Sequence, residues 1–398
     1  MSVLALLLAT VLGGAAAGVI AEAFLWLVGR GEHLLWIDLP KHVGVEPYES
    51  WWLFAVPIAG GVLVGLGQMI FGNYPQAIQE VVATWRAHGH VEPKTMPGTT
   101  YNALVALITG GPVGFEAALT GLIGGAATLV SRRIHGAGHL VRQAFGAEEV
   151  DSLPHAIRTL PYWLAALSGL ITVHAVPFGQ LDTGFRFSTF DGSMDVPDAL
   201  IAFAFAAVVT VPIAWAVMVI NRAERATVFK RSPILAGVAG AVVFATMAIP
   251  SEYVLFSGQP GYQHLVGLSN GTLAYLTVAK WIVLCVALTA GWRGGPIFPT
   301  LFSIGAFAVL VHDPLGVPPE ILMVAGAAAV SVVFLQGKIP AAFVLALYVA
   351  PLSYAGVILV GAVGSATALA VAGSLHLLPT AAPAPPAPDE TAAPPPAT

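Results

Sequence analysis

The sequence predicts an all-α integral membrane protein made of two related halves, with helices that break partway through the membrane. Three observations predict it. Of 398 residues, 57% are hydrophobic and only 9% charged, whereas soluble domains carry roughly a quarter charged residues. The stretch Asn102–Ser131 is long and apolar, holds no Asp, Glu, Lys or Arg other than Glu116, and is punctuated by Gly110, Gly111, Pro112 and Gly114. Breaks of the same kind then recur, in the same order, in the second half of the chain.

Composition also excludes some functions. The net charge is −5 with no dense basic patch, so nothing supports nucleic-acid binding. A single cysteine, Cys285, cannot form an intrachain disulfide. The 43 glycines and 30 prolines suit membrane helices, which tolerate both. A single membrane domain is expected over residues 1–377. The Pro/Ala-rich tail 378–398 is expected to be disordered and to carry no folded regulatory domain.

The first apolar run, 3–29, exceeds a signal-peptide core and has no Lys or Arg before Arg30, so it reads as a first span. Trp36, Trp51 and Trp52 flank the loop that follows, as interfacial aromatics do. A second span, 51–71, ends at Gly72-Asn73-Tyr74-Pro75, and Pro75 then opens a helical pattern. A helix over 99–109, the Gly-Gly-Pro turn and a helix to about 130 come next. A span at 159–176 breaks at His174-Ala175-Val176-Pro177, and a polar loop carries Asp182, Arg186, Asp191, Asp195 and Asp198. Residues 199–220 span again, and the cluster Arg222, Arg225, Lys230, Arg231 marks a cytoplasmic loop by the positive-inside rule. Spans follow at 233–249 and 273–290. The latter leads into Gly291-Trp292-Arg293-Gly294-Gly295-Pro296-Ile297-Phe298-Pro299, which opens another helix. Runs at 319–336 and 339–375 finish the membrane part, broken at Lys338-Ile339-Pro340 and Pro351.

The breaks pair up. The string 110–126 matches 294–306 through Gly-Gly-Pro, an aromatic residue and a small-residue helix; 72–78 faces 258–265; and 174–179 faces 337–343. Three ordered matches indicate duplication, with one repeat over about 50–190 and a second over about 199–375. Interrupted helices in corresponding positions point to a binding site near the midplane, where half-helix N-termini converge. Free N–H groups and the positive helix dipole favour an anion there. An ionisable residue at membrane depth is a functional candidate by default, and Glu116 reads as a built-in anion in the place a permeant anion would take. A buried Glu satisfied by backbone in an ordinary helix pair is the alternative.

At this point the arrangement resembles the CLC family of chloride channels and proton/chloride exchange transporters, as a divergent prokaryotic-type member without regulatory CBS domains. Gly114-Phe115-Glu116-Ala117-Ala118 stands where that family has G-R/K-E-G-P, and Gly295-Pro296-Ile297-Phe298-Pro299 resembles its G-x-F-x-P element. Gly72-Asn73-Tyr74-Pro75 sits where G-S-G-I-P is expected, Lys338-Ile339-Pro340 resembles R-A-P, and Tyr354 falls at the filter tyrosine before the last helix. The resemblance implies an inverted-repeat bundle with re-entrant helices in the cell membrane and a two-fold homodimer. It implies transport of small anions, chloride foremost, with Glu116 as gate and Gly72, Asn73, Gly114, Phe115, Ala117, Ile297, Phe298 and Tyr354 as the anion site. No cofactor or metal is expected, and the gate would couple conduction to protons.

The departures are specific. The serine hydroxyl of the first motif is replaced by Gly72 or Asn73, and Pro296 has no N–H to donate. Phe115, Ala117 and Ala118 replace the charged residue and the Gly-Pro around the gate. No Glu lies between Glu149 and Arg222, where proton-coupled members place a second glutamate, which favours uncoupled conduction. Proton–anion exchange on the same scaffold is the second reading. A membrane metalloenzyme using His88, His90, His135 or His139 is the third, although no carboxylate–His cluster accompanies them.

Overall fold

The computed structural model describes residues 3–78, 91–126, 194–225, 232–259, 261–337 and 339–377, with isolated positions between them. The expected metal-ligand candidates His88, His90, His135 and His139, the span at 159–176, most of the polar loop after it, Lys338 and the tail lie outside the described residues.

Helix α1 (Val3–His33) does not stop where the apolar run does. It continues through a π-helical turn, Leu34–Asp38, and a last turn, Leu39–Val43, until Gly44 takes a left-handed conformation (φ 75°). No glycine or proline breaks the run between Gly31 and Pro40, and Pro40 occupies a first-turn position that suits it. Trp36 lies on this extension, buried, with its indole N–H donating to the Ile108 carbonyl at 2.9 Å. Gly31 lets α1 cross closely, because a Cβ there would lie 2.7 Å from Ile108 Cγ2.

The remaining described helices are α2 (Trp52–Phe71), α3 (Met96–Ile108), α4 (116–126), α5 (Val196–Arg225), α6 (Pro233–Ala248), α7 (Asn270–Thr289), α8 (Ile297–Leu315), α9 (Pro319–Phe334), α10 (Ile339–Val349) and α11 (Ala355–Ser374). The last two breaks fall between Phe334 and Ile339 and at 350–354, beside Pro340 and Pro351, as the prolines require. Six helical segments among the described residues are long and apolar enough to span a bilayer: Thr10–Val43, Trp52–Phe71, Val196–Ala223, Asn270–Thr289, Ile297–Leu315 and Leu352–Ser374. The protein is a multi-pass membrane protein.

Small residues set the helix crossings, as expected where lipid removes the hydrophobic drive between helices. The most extensive contact joins α2 and α6. There Gly61 and Gly237 meet backbone to backbone: a Cβ at Gly61 would lie 2.5 Å from the Gly237 carbonyl oxygen. Helices α5 and α11 meet at Gly364, where a Cβ would press on the Phe203 carbonyl, and Thr210 donates to Ser365 Oγ at 2.7 Å in the same buried seam. Helix α9 is buried on every side from Ile321 to Val332, between α8 and α11, which makes it the centre of the second half. Gly61→Leu is expected to separate α2 from α6 and cost about 2 kcal/mol or more. The thermal midpoint in mild detergent should fall, while Gly267→Ala, where a Cβ meets nothing within 4 Å, should leave it unchanged.

Candidate functional site

Two helices, α3 and α7, end in the same way. Gly110 (φ 88°) and Gly291 (φ 86°) turn the chain out of helical conformation, which only glycine does at no steric cost. The N–H of Gly111 bonds the Ala106 carbonyl at 2.8 Å, and that of Trp292 bonds the Ala287 carbonyl at 2.9 Å, so both ends close with the same wide turn. Each segment then leaves the helix and leads to Gly114 or Gly295. Those two glycines exchange both backbone hydrogen bonds, Gly114 N–H to Gly295 O and Gly295 N–H to Gly114 O, each 2.6 Å. A new helix starts at once on either side, α4 at Glu116 and α8 at Ile297.

This corrects the pairing suggested by the Gly-Gly-Pro strings. Gly110 corresponds to Gly291, not to Gly294, and Gly114 corresponds to Gly295. Turn geometry is fixed by where the left-handed residue and its hydrogen bonds fall, and the chance recurrence of Gly-Gly-Pro inside the second turn masks that register. In the corrected register Glu116 lies opposite Ile297, and Phe115 opposite Pro296.

Aromatic residues brace both turns. Trp36 covers Gly110, stacks on Tyr48 (5.4 Å, 13°) and meets Phe256 edge-on (5.2 Å, 74°). Trp292, fully buried, donates to the Gly237 carbonyl at 2.9 Å and packs edge-on against Phe244 (4.9 Å, 88°). The Gln68 amide, from the last turn of α2, donates to the Gly291 carbonyl, and the Phe256 N–H donates to the Gly110 carbonyl at 3.2 Å.

The carboxylate of Glu116 reaches across the bridge to the opposite helix. Oε1 accepts from the Ile297 N–H at 2.6 Å and the Phe298 N–H at 3.4 Å. These are the first amides of α8, which have no partner within their own helix, and the positive end of the α8 dipole adds to the attraction. Pro296 contributes no N–H, so this pair supplies the donors. Oε2 is enclosed without a hydrogen-bond partner among the described residues and lies against Gly114. Both bridge glycines are needed for this pose: a Cβ on Gly114 or Gly295 would fall on the carboxyl group. Phe115 packs on Phe298 at 4.8 Å, and Ala117 is buried behind it.

Gly72, Asn73 and Tyr354 are not brought into hydrogen bonds with Glu116 among the described residues. Gly72 (φ 87°) ends α2, and the Asn102 amide holds this turn by donating to the carbonyls of Gly72 (3.2 Å) and Tyr74 (3.0 Å). The Asn73 side-chain oxygen accepts from Arg293 Nε at 2.6 Å in an exposed position. The amide expected to add a polar contact at the site is therefore engaged by a cation in the second turn. Tyr354 is buried at the short turn Leu352–Tyr354 that leads into α11.

A cavity of about 400 Å³ reaches Phe115 and is lined among others by Glu32, Tyr48, Glu252 and His264. Glu32 is not evident as a site residue in the sequence, because it lies just past the apolar run 3–29. Lys280, in turn, stands alone within the apolar run 273–290. The rule that singled out Glu116, an ionisable side chain at membrane depth, applies equally to both.

The architecture itself has close counterparts among solved structures. A CLC-type fluoride/proton antiporter superposes with a TM-score of 0.65 at 17% identity, covering 91% of this chain and 94% of that one. The chain has the CLC fold. A slow cyanobacterial Cl⁻/H⁺ antiporter matches at TM-score 0.64 and 14% identity, over 94% and 97% of the two chains. A eukaryotic CLC transporter matches at 0.65 and 16%, over 92% and 72%. By sequence, the chain is 25% identical to YfeO of Escherichia coli, whose name assigns it to ion transport, over 74% of this chain and 75% of that protein. The Escherichia fergusonii protein of the same name is 25% identical, over 73% and 75%. No protein-family model matches the chain. In the CLC fold of this chain, the two bridged turns place Glu116 between the halves with its carboxylate on α8.

Proposed function

We propose that this protein is a CLC-family member that moves small inorganic anions, chloride foremost, across the cell membrane, with Glu116 as the gate. One observation carries the reading: a carboxylate already occupies a pair of helix-terminal amides between two interrupted halves, so the site accepts a single negative charge. Full ion pairing in a low-dielectric site would trap a halide, whereas amides and the helix dipole bind it weakly enough to release it. The anion would contact the N–H groups of Ile297 and Phe298 and pass Gly114, Phe115 and Ala117. Gly72 and Asn73 would form one mouth and Tyr354 a polar wall. Glu116 competes for the same donors; protonation removes its charge and frees them, so flux rises as pH falls. Two copies are expected to form a homodimer with a pore in each.

The test is reconstitution. Liposomes holding the protein should release chloride, nitrate or fluoride faster than empty liposomes, and faster in acid. Efflux no faster than from empty liposomes for all three anions would overturn the reading.

Coupled proton–anion exchange is the second reading, and the cavity at Phe115 favours it. Glu32, Glu252 and His264 line that cavity; carboxylates repel an anion but can pass protons. The solved relatives of this fold named above include two antiporters. Under exchange, an imposed chloride gradient drives proton uptake, and Glu32→Gln should cut that uptake by about tenfold while anion flux stays within about twofold. Equal loss of both fluxes would remove Glu32 from the proton route, and absence of uptake in the unaltered protein would leave uncoupled conduction.

A further inference from the structure

Lys280 is the most enclosed charge-bearing side chain among the described residues, with no exposed surface. It sits in the middle of α7, and its Nζ lies 2.8 Å from the carbonyl oxygen of Tyr253, 3.0 Å from Val254, 2.7 Å from Leu255 and 2.8 Å from Phe256. Four carbonyls from one short segment converge on one nitrogen. The segment starts inside the 3₁₀ turn Glu252–Val254 and runs past its end, where the backbone does not continue as a helix, so these carbonyls have no helical partners. Phe256 holds a left-handed conformation (φ 57°), unusual for a bulky residue and costly. That conformation presents its carbonyl to Lys280 while its N–H bonds Gly110.

Beyond the four carbonyls, the ammonium faces the Phe302 ring, 5.0 Å from Nζ to centroid, a cation–π arrangement. Phe302 lies one turn after Phe298 on the same face of α8. Lys280 therefore touches both halves of the site. Through Phe256 it reaches the turn that carries Glu116, and through Phe302 it reaches the helix whose first amides hold the carboxylate.

A ring of backbone carbonyls facing an aromatic ring suits a small monovalent cation, since carbonyl oxygens replace a hydration shell. We propose that Lys280 is a tethered cation: its ammonium fills a monovalent-cation cage formed by the carbonyls of residues 253–256 and thereby positions the turn that carries Glu116 against α8. Lys280 is a positioning residue and touches no anion. An ion of ammonium size, NH₄⁺ or K⁺, takes the cage once the side chain is shortened.

The test uses purified full-length protein in detergent, with chloride and ionic strength held constant and the cation varied between N-methylglucamine, K⁺ and NH₄⁺. The unaltered protein should melt at the same temperature in all three. Lys280→Ala should melt lower in N-methylglucamine and recover by about 3 °C or more, saturably, with K⁺ or NH₄⁺. Lys280→Met, which fills the space without charge, should not respond to the cation. A Lys280→Ala protein indifferent to the cation overturns the proposal. If Lys280→Ala does not fold, ¹⁵N-lysine spectra of the unaltered protein decide: an ammonium nitrogen carrying three slowly exchanging protons supports the cage, and an amine overturns it.

The effect on transport rests on the function proposed above. In liposomes, Lys280→Ala should lose at least tenfold of its anion flux in N-methylglucamine and regain it in K⁺. If the unaltered protein carries no anion at all, that functional reading fails while the melting result still stands or falls alone.

Discussion

Glu116→Gln is expected to abolish the dependence of anion flux on pH and, under the exchange reading, to cut proton uptake by more than tenfold. The amide keeps an oxygen that can accept from Ile297 and Phe298, but it carries no charge and takes up no proton in this pH range. Hydrogen bonds to a charged acceptor contribute about 1.5–3 kcal/mol, against about 0.5–1.5 for neutral ones. Replacing the carboxylate thus weakens self-occupancy of the site by about 1–2 kcal/mol, roughly a factor of ten in availability to a permeant anion. Flux at neutral pH should therefore rise toward the acid value of the unaltered protein. Flux measured in liposomes across a pH series checks this, and a variant that keeps the original pH response removes Glu116 from the gate.

Gly295→Ala should produce nearly the same phenotype with the carboxylate still in place. The backbone at Gly295 is not in the left-handed region, so alanine is conformationally acceptable. Its Cβ, however, would coincide with the Glu116 side chain, overlapping Cγ, Cδ and Oε1. The obstacle is the end of a flexible side chain, so the cheapest response is for Glu116 to leave the Ile297 and Phe298 amides. The Gly114–Gly295 bridge uses backbone atoms alone and can persist. Chloride efflux at neutral pH should rise about tenfold and change little on acidification. Slower efflux that still accelerates in acid would show that the carboxylate does not plug the path.

Much of this fold is legible in the sequence because membrane helices declare themselves by length and by the prolines and glycines that end them. The spans after Ser232 begin and end within a few residues of their expected limits for that reason. Helix α1 overran its expectation because Trp36 and Ile37 continue an apolar face that the polar Arg30, Glu32 and His33 interrupt only locally. The repeat register is not legible in the sequence, because the Gly-Gly-Pro match hides the position of the turn-forming glycine, a backbone property that strings of letters do not display. At the site, Glu116 stood out as a lone acid in an apolar run, and the amides of 297 and 298 followed from the helix start beside Pro296. Arg293 with Asn73, Lys280 with four carbonyls, and Glu32 with the cavity join residues far apart in the chain. No periodicity links them, so only the folded chain could pair them.

The paired hydrogen bonds between Gly114 and Gly295 limit how this protein can move. The tips of the two halves are stitched together by main-chain atoms, and swinging the halves apart would strand four buried polar groups. A rocking cycle that parts the halves is thus closed to this chain unless it breaks that stitch. The moving piece left to it is about the size of one side chain, which makes the barrier to ion passage a local rotation within a rigid frame.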